Sequence, residues 1–152
     1  MRGPNGEELP QAVLFACSLN AVRSPLAAAI MRQLYGKFCY VDSAGVRAGE
    51  TDSFIVEILD EIGIELGKHR PKSFSDLEDA SFDLVITLSP EAHHKALDLT
   101  HTVAVDVEYW PIMDPTNVEG SRDQRLDAYR AVRDELMRRI RARFAVDRAA
   151  DA

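Results

Sequence analysis

Short apolar runs alternate with longer amphipathic stretches along the chain. Residues 12–16 and 82–88 are nearly continuous apolar runs, and residues 38–43 are rich in β-branched and aromatic side chains, as is typical of strands. Pro25 and Pro90 stand where a first helical turn is expected after two of these runs. The pattern therefore predicts strands at 12–16, 38–43, 82–88 and 103–109, and helices at about 25–35, 54–62, 90–97 and 124–144.

The last predicted helix carries one apolar stripe between charged faces, and this stripe marks the side that packs on the rest of the protein. The stripe consists of Leu126, Tyr129, Val132, Leu136, Ile140 and Phe144. Apolar strands that alternate with helices are buried on both faces of a parallel sheet. We predict an α/β fold, a three-layer αβα sandwich around a four-stranded parallel sheet with right-handed crossovers.

Composition limits the classes of protein to which this chain can belong. With 152 residues, of which 46% are hydrophobic and 28% charged, it has the size and mix of one globular domain. We assign the domain to residues 11–145 and expect flexible ends at 1–10 and 146–152. The first ten residues are polar, and no apolar run reaches the roughly 18 to 20 residues of a membrane helix, so we expect a cytoplasmic protein.

The net charge and the number of cysteines limit the binding partners and cofactors that we expect. A formal net charge of −7 disfavours binding to nucleic acid or to an anionic membrane, and it repels phosphate at long range. Any phosphate site therefore needs its own local positive potential. Cys17 and Cys39 are too few for a disulfide scaffold and lack the spacing of metal ligands. We expect two free thiols and no metal or other cofactor.

A phosphate-binding pattern follows the first predicted strand. Cys17 and Arg23 are separated by five residues, and Ser24-Pro25 opens the next helix. Loop amides and a helix N-terminus converge at such a point and bind oxyanions, and an arginine fork can hold two phosphate oxygens. The same helix end and cation favour a thiolate. We therefore expect Cys17 to be a nucleophile, with Ser24 donating its hydroxyl to the sulfur.

An inert, buried Cys17 is the alternative interpretation, because that is the common state of a lone cysteine in a reducing compartment. A C-x5-R pattern also occurs by chance in many sequences. The position of this pattern favours the phosphate site, because open α/β sheets bind ligands at their strand-to-helix loops.

Asp114 is a candidate general acid. It follows the fourth predicted strand, and the loops after parallel strands leave the sheet at one edge, so this carboxylate can reach Cys17. The alternative is that Asp114-Pro115 only forms a turn.

Together these features resemble the low-molecular-weight protein-tyrosine phosphatases and the thioredoxin-coupled arsenate reductases that share their fold. The resemblance covers residues 12–144. Its motifs are Cys17 to Pro25 near the N-terminus, Val41-Asp42-Ser43-Ala44-Gly45, Gly63-Ile64, His69 and Asp114-Pro115. It implies a phosphotyrosine phosphatase I-like fold with sheet order 2-1-3-4, and phosphomonoester hydrolysis through a phosphocysteine intermediate.

The resemblance also implies roles for individual residues. The implied catalytic residues are Cys17, Arg23 and Asp114. The implied phosphate-binding residues are Ser18, Leu19, Asn20, Ala21, Val22, Arg23 and Ser24. Asn20 shapes the loop, with Ser43 and His69 as supporting residues. Ordinary turn roles are the alternative for Asn20 and Ser43.

The implied substrate is a phosphorylated protein or a small aryl phosphate, and the implied inhibitors are phosphate-like oxyanions. We expect a monomer or a weak dimer, with no nucleic acid and no membrane as partner.

Three departures from the family pattern define the alternatives. Thr116 and Asn117 follow the Asp-Pro pair where the phosphatases carry aromatic residues, so the predicted substrate slot is less aromatic. Val22 replaces a second, protective cysteine of the loop. Ser89 and Ala96 stand where the reductases have their relay cysteines. An intramolecular disulfide relay is impossible without sulfur at these positions.

Two other functions remain open at this point. The first is an arsenate reductase that uses an external thiol, favoured by residues 108–115, 119–120 and 131–135, which look closer to the reductases. The second is a binding module that captures a phosphorylated partner without turning it over.

Overall fold

A computed structural model describes residues 8–67, 69–77, 82–100 and 104–144 of the chain. In this part, four strands alternate with four α-helices. They are β1 (Ala12–Cys17), α1 (Arg23–Tyr35), β2 (Tyr40–Gly45), α2 (Ser53–Asp60), β3 (Leu84–Thr87), α3 (Pro90–Leu99), β4 (Asp106–Tyr109) and α4 (Arg122–Arg143). Short 3-10 helices cover Phe74–Asp76 and Pro115–Asn117.

The strands form one parallel sheet in the order β2-β1-β3-β4, which confirms the predicted sheet and its order. Cys17 at the end of β1 pairs with Gly45 at the end of β2. Thr87 at the end of β3 pairs with Ala16 on one side and with Tyr109 on the other. Because all four strands run in one direction, the loops after them emerge at a single edge.

Both faces of the sheet are covered, as the predicted three-layer sandwich requires. On one face, Val13 and Phe15 of β1 belong to a large buried cluster with side chains of α1, α2 and α4. On the other face, Leu14 and Val85 pack with Ala96 of α3 and with side chains near the first 3-10 helix. All six residues of the predicted α4 stripe are buried, which confirms the side on which this helix packs.

Some element boundaries differ from the sequence prediction. Helix α1 starts at Arg23, two residues before Pro25. Strand β2 starts at Tyr40 instead of residue 38, because the backbone from Gly36 to Phe38 still hydrogen-bonds to the last turn of α1. Strand β4 starts at Asp106, where its pairing with β3 begins, and residue 103 lies outside the described residues.

The two chain ends are described only in part. Of the predicted flexible ends, residues 1–7 and 146–152 lie outside the described residues. Within the described ranges, no helix has both the length and the apolar character that crossing a membrane requires.

Candidate active site

The loop between β1 and α1 turns its carbonyl oxygens outward. They accept hydrogen bonds from the segment that follows β2: Val46 N to Cys17 O (3.1 Å), Arg47 N to Ser18 O (2.9 Å) and Gly49 N to Leu19 O (2.7 Å). Gly45 allows this close approach, because a Cβ at that position would lie 2.7 Å from the amide nitrogen of Asn20. The end of β2 thus fixes the shape of the loop.

The amides of the same loop have no partners among the described residues. None of the backbone N–H groups from Ser18 to Ser24 donates to an acceptor in the described part of the chain. Helix α1 also begins without a capping side chain, whereas Asp52, Ser89 and Ser121 cap the other three described α-helices. Unpaired amides at an uncapped helix N-terminus form a site for an oxyanion.

The sulfur of Cys17 lies at the base of this loop, and only 2% of the surface of this residue is exposed. Its Sγ atom is 2.9 Å from Ser24 Oγ. That oxygen accepts a hydrogen bond from Asn20 Nδ2 at 2.9 Å, so its own proton is free to point toward the sulfur. The carbonyl of Ala44 competes for this proton only at 3.4 Å. Ser24 is thus placed to stabilise a Cys17 thiolate.

Asn20 holds the loop in a left-handed turn, with a φ of 54°. Its fully buried side chain donates to Ser24 and to Ser43 Oγ, each at 2.9 Å, and accepts from the amide of Lys72 at 3.0 Å. His69 Nε2 lies 3.1 Å from the Asn20 carbonyl. Burial lowers the pKa of His69, so the neutral ring donates its Nε2–H to that oxygen. The structure therefore brings both predicted supporting residues to the loop.

Arg23 and Asp114 face each other across the mouth of the loop. Arg23 donates from Nη1 to the carbonyl of Ile112 at 3.1 Å, and its Nη2 lies 3.8 Å from Asp114 Oδ2. The other oxygen of Asp114 accepts from the amide of Thr116 at 3.0 Å and from its hydroxyl at 2.7 Å. Asp114 therefore turns Oδ2 toward the arginine, and this oxygen accepts no hydrogen bond from the described residues.

A cavity of about 260 Å³ opens above the sulfur. Its lining residues are Cys17, Ser18, Leu19, Ala21, Val22, Arg23, Arg47, Asp114 and Thr116. All three predicted catalytic residues thus line one cavity. The other predicted residues named above are not among those that line it: Asn20, Ser24, Ser43 and His69. None of the described residues that line the cavity is aromatic.

The sequence interpretation missed Arg47 as a lining residue. A signal was present, because Arg47 stands two residues after the end of β2 and every such segment leaves the sheet at the same edge. Among the described residues, no group of three or more His, Cys, Asp or Glu side chains is arranged to hold a metal ion.

Residues 12–149 match the family model described as low molecular weight phosphotyrosine protein phosphatase. The chain belongs to this family. It is 32% identical to the arsenate reductase of Bacillus licheniformis over 138 residues, which cover 88% of this chain and 94% of that protein. It is 29% identical over 134 residues to the arsenate reductase of Bacillus subtilis, covering 85% and 91% of the two chains.

The chain is also similar to solved structures of tyrosine and arginine phosphatases. The low molecular weight protein tyrosine phosphatase from T. tengcongensis superposes with a TM-score of 0.67 at 29% identity, over 84% of this chain and 92% of that one. A mutant of the YwlE arginine phosphatase with a phosphorylated active-site serine gives a TM-score of 0.69 at 25% identity, over 91% and 98%. The chain is an enzyme of a family that contains both phosphatases and arsenate reductases.

The second cysteine lies at the opposite end of the sheet from this site. Cys39 directly precedes β2, whereas Cys17 ends β1 and pairs with the last residue of β2. Six residues of strand separate the two levels, or roughly 20 Å, and a disulfide needs Cα atoms within about 7 Å. Burial raises the pKa of Cys39 to about 11, so this thiol is an unreactive core residue.

Proposed function

We propose that the protein is a phosphomonoester hydrolase that works through a phosphocysteine intermediate. The observation that carries this proposal is the meeting of Cys17, Arg23 and Asp114 around one cavity, which is also lined by loop residues whose amides have no partner among the described residues. A nucleophile, an oxyanion site and a proton donor are the three parts that this chemistry needs.

In the first step, the Cys17 thiolate attacks phosphorus and the bond to the leaving oxygen breaks. The loop amides and the Arg23 guanidinium bind the three other phosphate oxygens, whose charge is spread in the transition state. Asp114 gives its proton from Oδ2 to the leaving oxygen. The hydrogen bonds from Thr116 to Oδ1 leave Oδ2 free for this transfer.

In the second step, water attacks the phosphorus of the phosphocysteine. Asp114 takes a proton from this water, and Cys17 leaves as a thiolate that the Ser24 hydroxyl stabilises. Phosphate is released, and Asp114 is again protonated for the next cycle. A related family member, the YwlE mutant, carries phosphate on its active-site serine, which supports a covalent step at the corresponding position here.

The cavity also bears on the substrate. Leu19, 44% exposed, and Thr116 line it, and the described part of the chain places no aromatic side chain in its lining to stack on a phosphotyrosine. We infer phosphorylated proteins and small aryl phosphates as substrates, and phosphate-like oxyanions as inhibitors.

Arsenate reduction with an external thiol is the second candidate, because the relatives at 29% and 32% identity are arsenate reductases. Arsenate has the charge and shape of phosphate and suits the same loop. Reduction then requires an external thiolate to attack Cys17 Sγ of a cysteine–arsenic adduct, so that the sulfur–arsenic electron pair reduces arsenic(V) to arsenic(III). The one other cysteine in the sequence, Cys39, lies at the far end of the sheet, so the chain cannot supply this thiol itself.

Aryl phosphate hydrolysis without added metal tests the proposal. We expect wild-type turnover, no turnover for Cys17→Ser, and a fall of about 10²- to 10⁴-fold in kcat for Asp114→Ala, because the proton donor is lost. Turnover that persists in Cys17→Ser overturns the proposal. Binding of a phosphopeptide without product indicates a binding module, and arsenite formed from arsenate and a small thiol, without phosphatase turnover, indicates the reductase.

A further inference from the structure

Arg47 is fixed next to the phosphate loop by its own backbone. Its amide donates to Ser18 O at 2.9 Å, and its side chain lines the cavity above Cys17. Of the described residues that line the cavity, two are cationic, Arg23 and Arg47. The proposed mechanism assigns Arg23 to the phosphate, which leaves Arg47 without a role in that chemistry.

Glu91 forms a bidentate ion pair with the Arg47 guanidinium. Its two carboxylate oxygens accept from Nη1 at 2.9 Å and from Nη2 at 3.0 Å. The hydrogen bond from Arg47 lowers the pKa of Glu91, so this carboxylate is charged at neutral pH. Both side chains remain exposed, at 58% for Arg47 and 45% for Glu91, and such exposed pairs contribute little to stability.

The geometry therefore describes a carboxylate-binding site that the protein fills with its own Glu91. The bidentate fork is the arrangement in which arginine recognises carboxylate and phosphate groups. A substrate anion can replace Glu91 at small cost, because the displaced carboxylate is then solvated. The net charge of −7 makes a dedicated cation necessary for any second anionic group.

We propose that Arg47 binds a second acidic group of the substrate in exchange for Glu91, which makes phosphomonoesters with an acidic group on the leaving side the preferred substrate class. The inference rests on the proposed phosphate site of the loop. It adds a specificity residue that the catalytic steps do not require.

Matched ligands test this exchange. Cys17→Ser protein is titrated by calorimetry with 3- and 4-carboxyphenyl phosphate and with their uncharged carboxamide analogues. We expect the better carboxylate isomer to bind about two- to fivefold more tightly than its carboxamide, as for other ion pairs at exposed sites. A parallel pair of short peptides, with Asp or Asn after phosphotyrosine, distinguishes a protein substrate from a small one.

Three further substitutions in the same background assign the effect. Arg47→Gln brings the carboxylate-to-carboxamide ratio close to one, and Glu91→Gln raises it, because the competing carboxylate is gone. Arg138→Gln removes the same charge from an exposed arginine of α4 that does not line the cavity, and it leaves the ratio unchanged. This control is needed because the carboxylate ligand carries one more negative charge than its carboxamide, so a general change in the electrostatic field would also alter the ratio.

Equal binding of carboxylate and carboxamide, or a ratio that survives Arg47→Gln, overturns the role of Arg47. The phosphatase proposal alone fails if the carboxyphenyl phosphates and their carboxamides bind but wild-type protein does not hydrolyse them. Failure of every phosphate ligand to bind overturns both proposals.

Discussion

Asn20 organises the phosphate loop with its backbone and its side chain together. The left-handed φ of 54° turns the chain at the middle of the loop, and the amide group connects Ser24, Ser43 and the amide of Lys72. Because Asn20 is fully buried, each of these polar atoms needs its partner. This network places the Ser24 hydroxyl beside the Cys17 sulfur.

Thr116 plays a comparable part for Asp114, and this leads to a prediction at the scale of one side chain. Thr116→Val removes the 2.7 Å hydrogen bond to Oδ1 and lets the carboxylate rotate away from the leaving oxygen. We expect kcat/KM for phenyl phosphate to fall about tenfold, through misplacement of the acid. We expect a smaller fall in kcat/KM for p-nitrophenyl phosphate, because p-nitrophenolate leaves readily without a proton.

Thr116→Ser is the matched control, because it keeps the hydroxyl and restores the dependence on the leaving group. An equal loss for both substrates contradicts a role of Thr116 in placing the proton donor, and indicates only a change in the shape of the cavity.

At the scale of helices, the N-terminus of α1 differs from those of the other three described α-helices. Asp52, Ser89 and Ser121 cap α2, α3 and α4, whereas α1 in the described structure leaves its first amides open toward the cavity. A capped helix is more stable by about 1 kcal/mol than an uncapped one. The open end of α1 is therefore consistent with the oxyanion site that we propose for the loop.

The cap of α2 also joins that helix to α4. The Asp52 carboxylate accepts from the amide of Phe54 at 2.9 Å and from the buried Tyr129 hydroxyl at 2.5 Å. We expect Tyr129→Phe to lower the free energy of unfolding by about 1.5 to 3 kcal/mol, as for hydrogen bonds to charged groups. Urea unfolding measures this change.

Tyr109→Phe serves as the control for that experiment. Its hydroxyl forms no hydrogen bond within the described ranges, so the same chemical change is expected to leave stability nearly constant. A Tyr129→Phe protein as stable as wild type shows that the Asp52 contact does not stabilise the junction of α2 and α4.

At the scale of the whole molecule, ion pairs between α2 and α4 make the stability dependent on pH. Glu61 accepts hydrogen bonds from Arg130 and from the buried Arg133, which lower its pKa to about 2. The unfolded chain takes up this proton near the ordinary value of 4.5, so it binds the proton more readily than the folded chain. The stabilisation from Glu61 is complete above that pH and is lost as the pH falls toward about 2.

Urea unfolding of wild type and Glu61→Gln at a series of pH values checks this. We expect wild type to be the more stable protein at pH 7 and the difference to shrink as the pH falls below about 4.5. Glu119→Gln, at an exposed residue without a salt bridge in the described structure, gives a small difference that stays constant. A Glu61→Gln difference that does not vary with pH rules out this linkage.

The sequence by itself determined the parts of this protein that depend on local patterns. Apolar runs and helical stripes identified the strands and helices within a few residues, since periodicity reflects which side of each element is buried. The spacing of Cys17, Arg23 and Ser24-Pro25 predicted an anion site for the same reason: a loop and the helix that follows it are adjacent in the chain.

The tertiary structure decided which distant residues meet there. Arg47, His69 and Lys72 reach the loop only because parallel strands release their connections at one edge. The same topology puts Cys39 at the far end of the sheet, which the chain positions of two cysteines do not reveal. Contacts such as that of Arg47 with Glu91 depend on the packing of β2 against β1 and of α3 on the sheet, and packing over such separations leaves no periodic signal in the sequence.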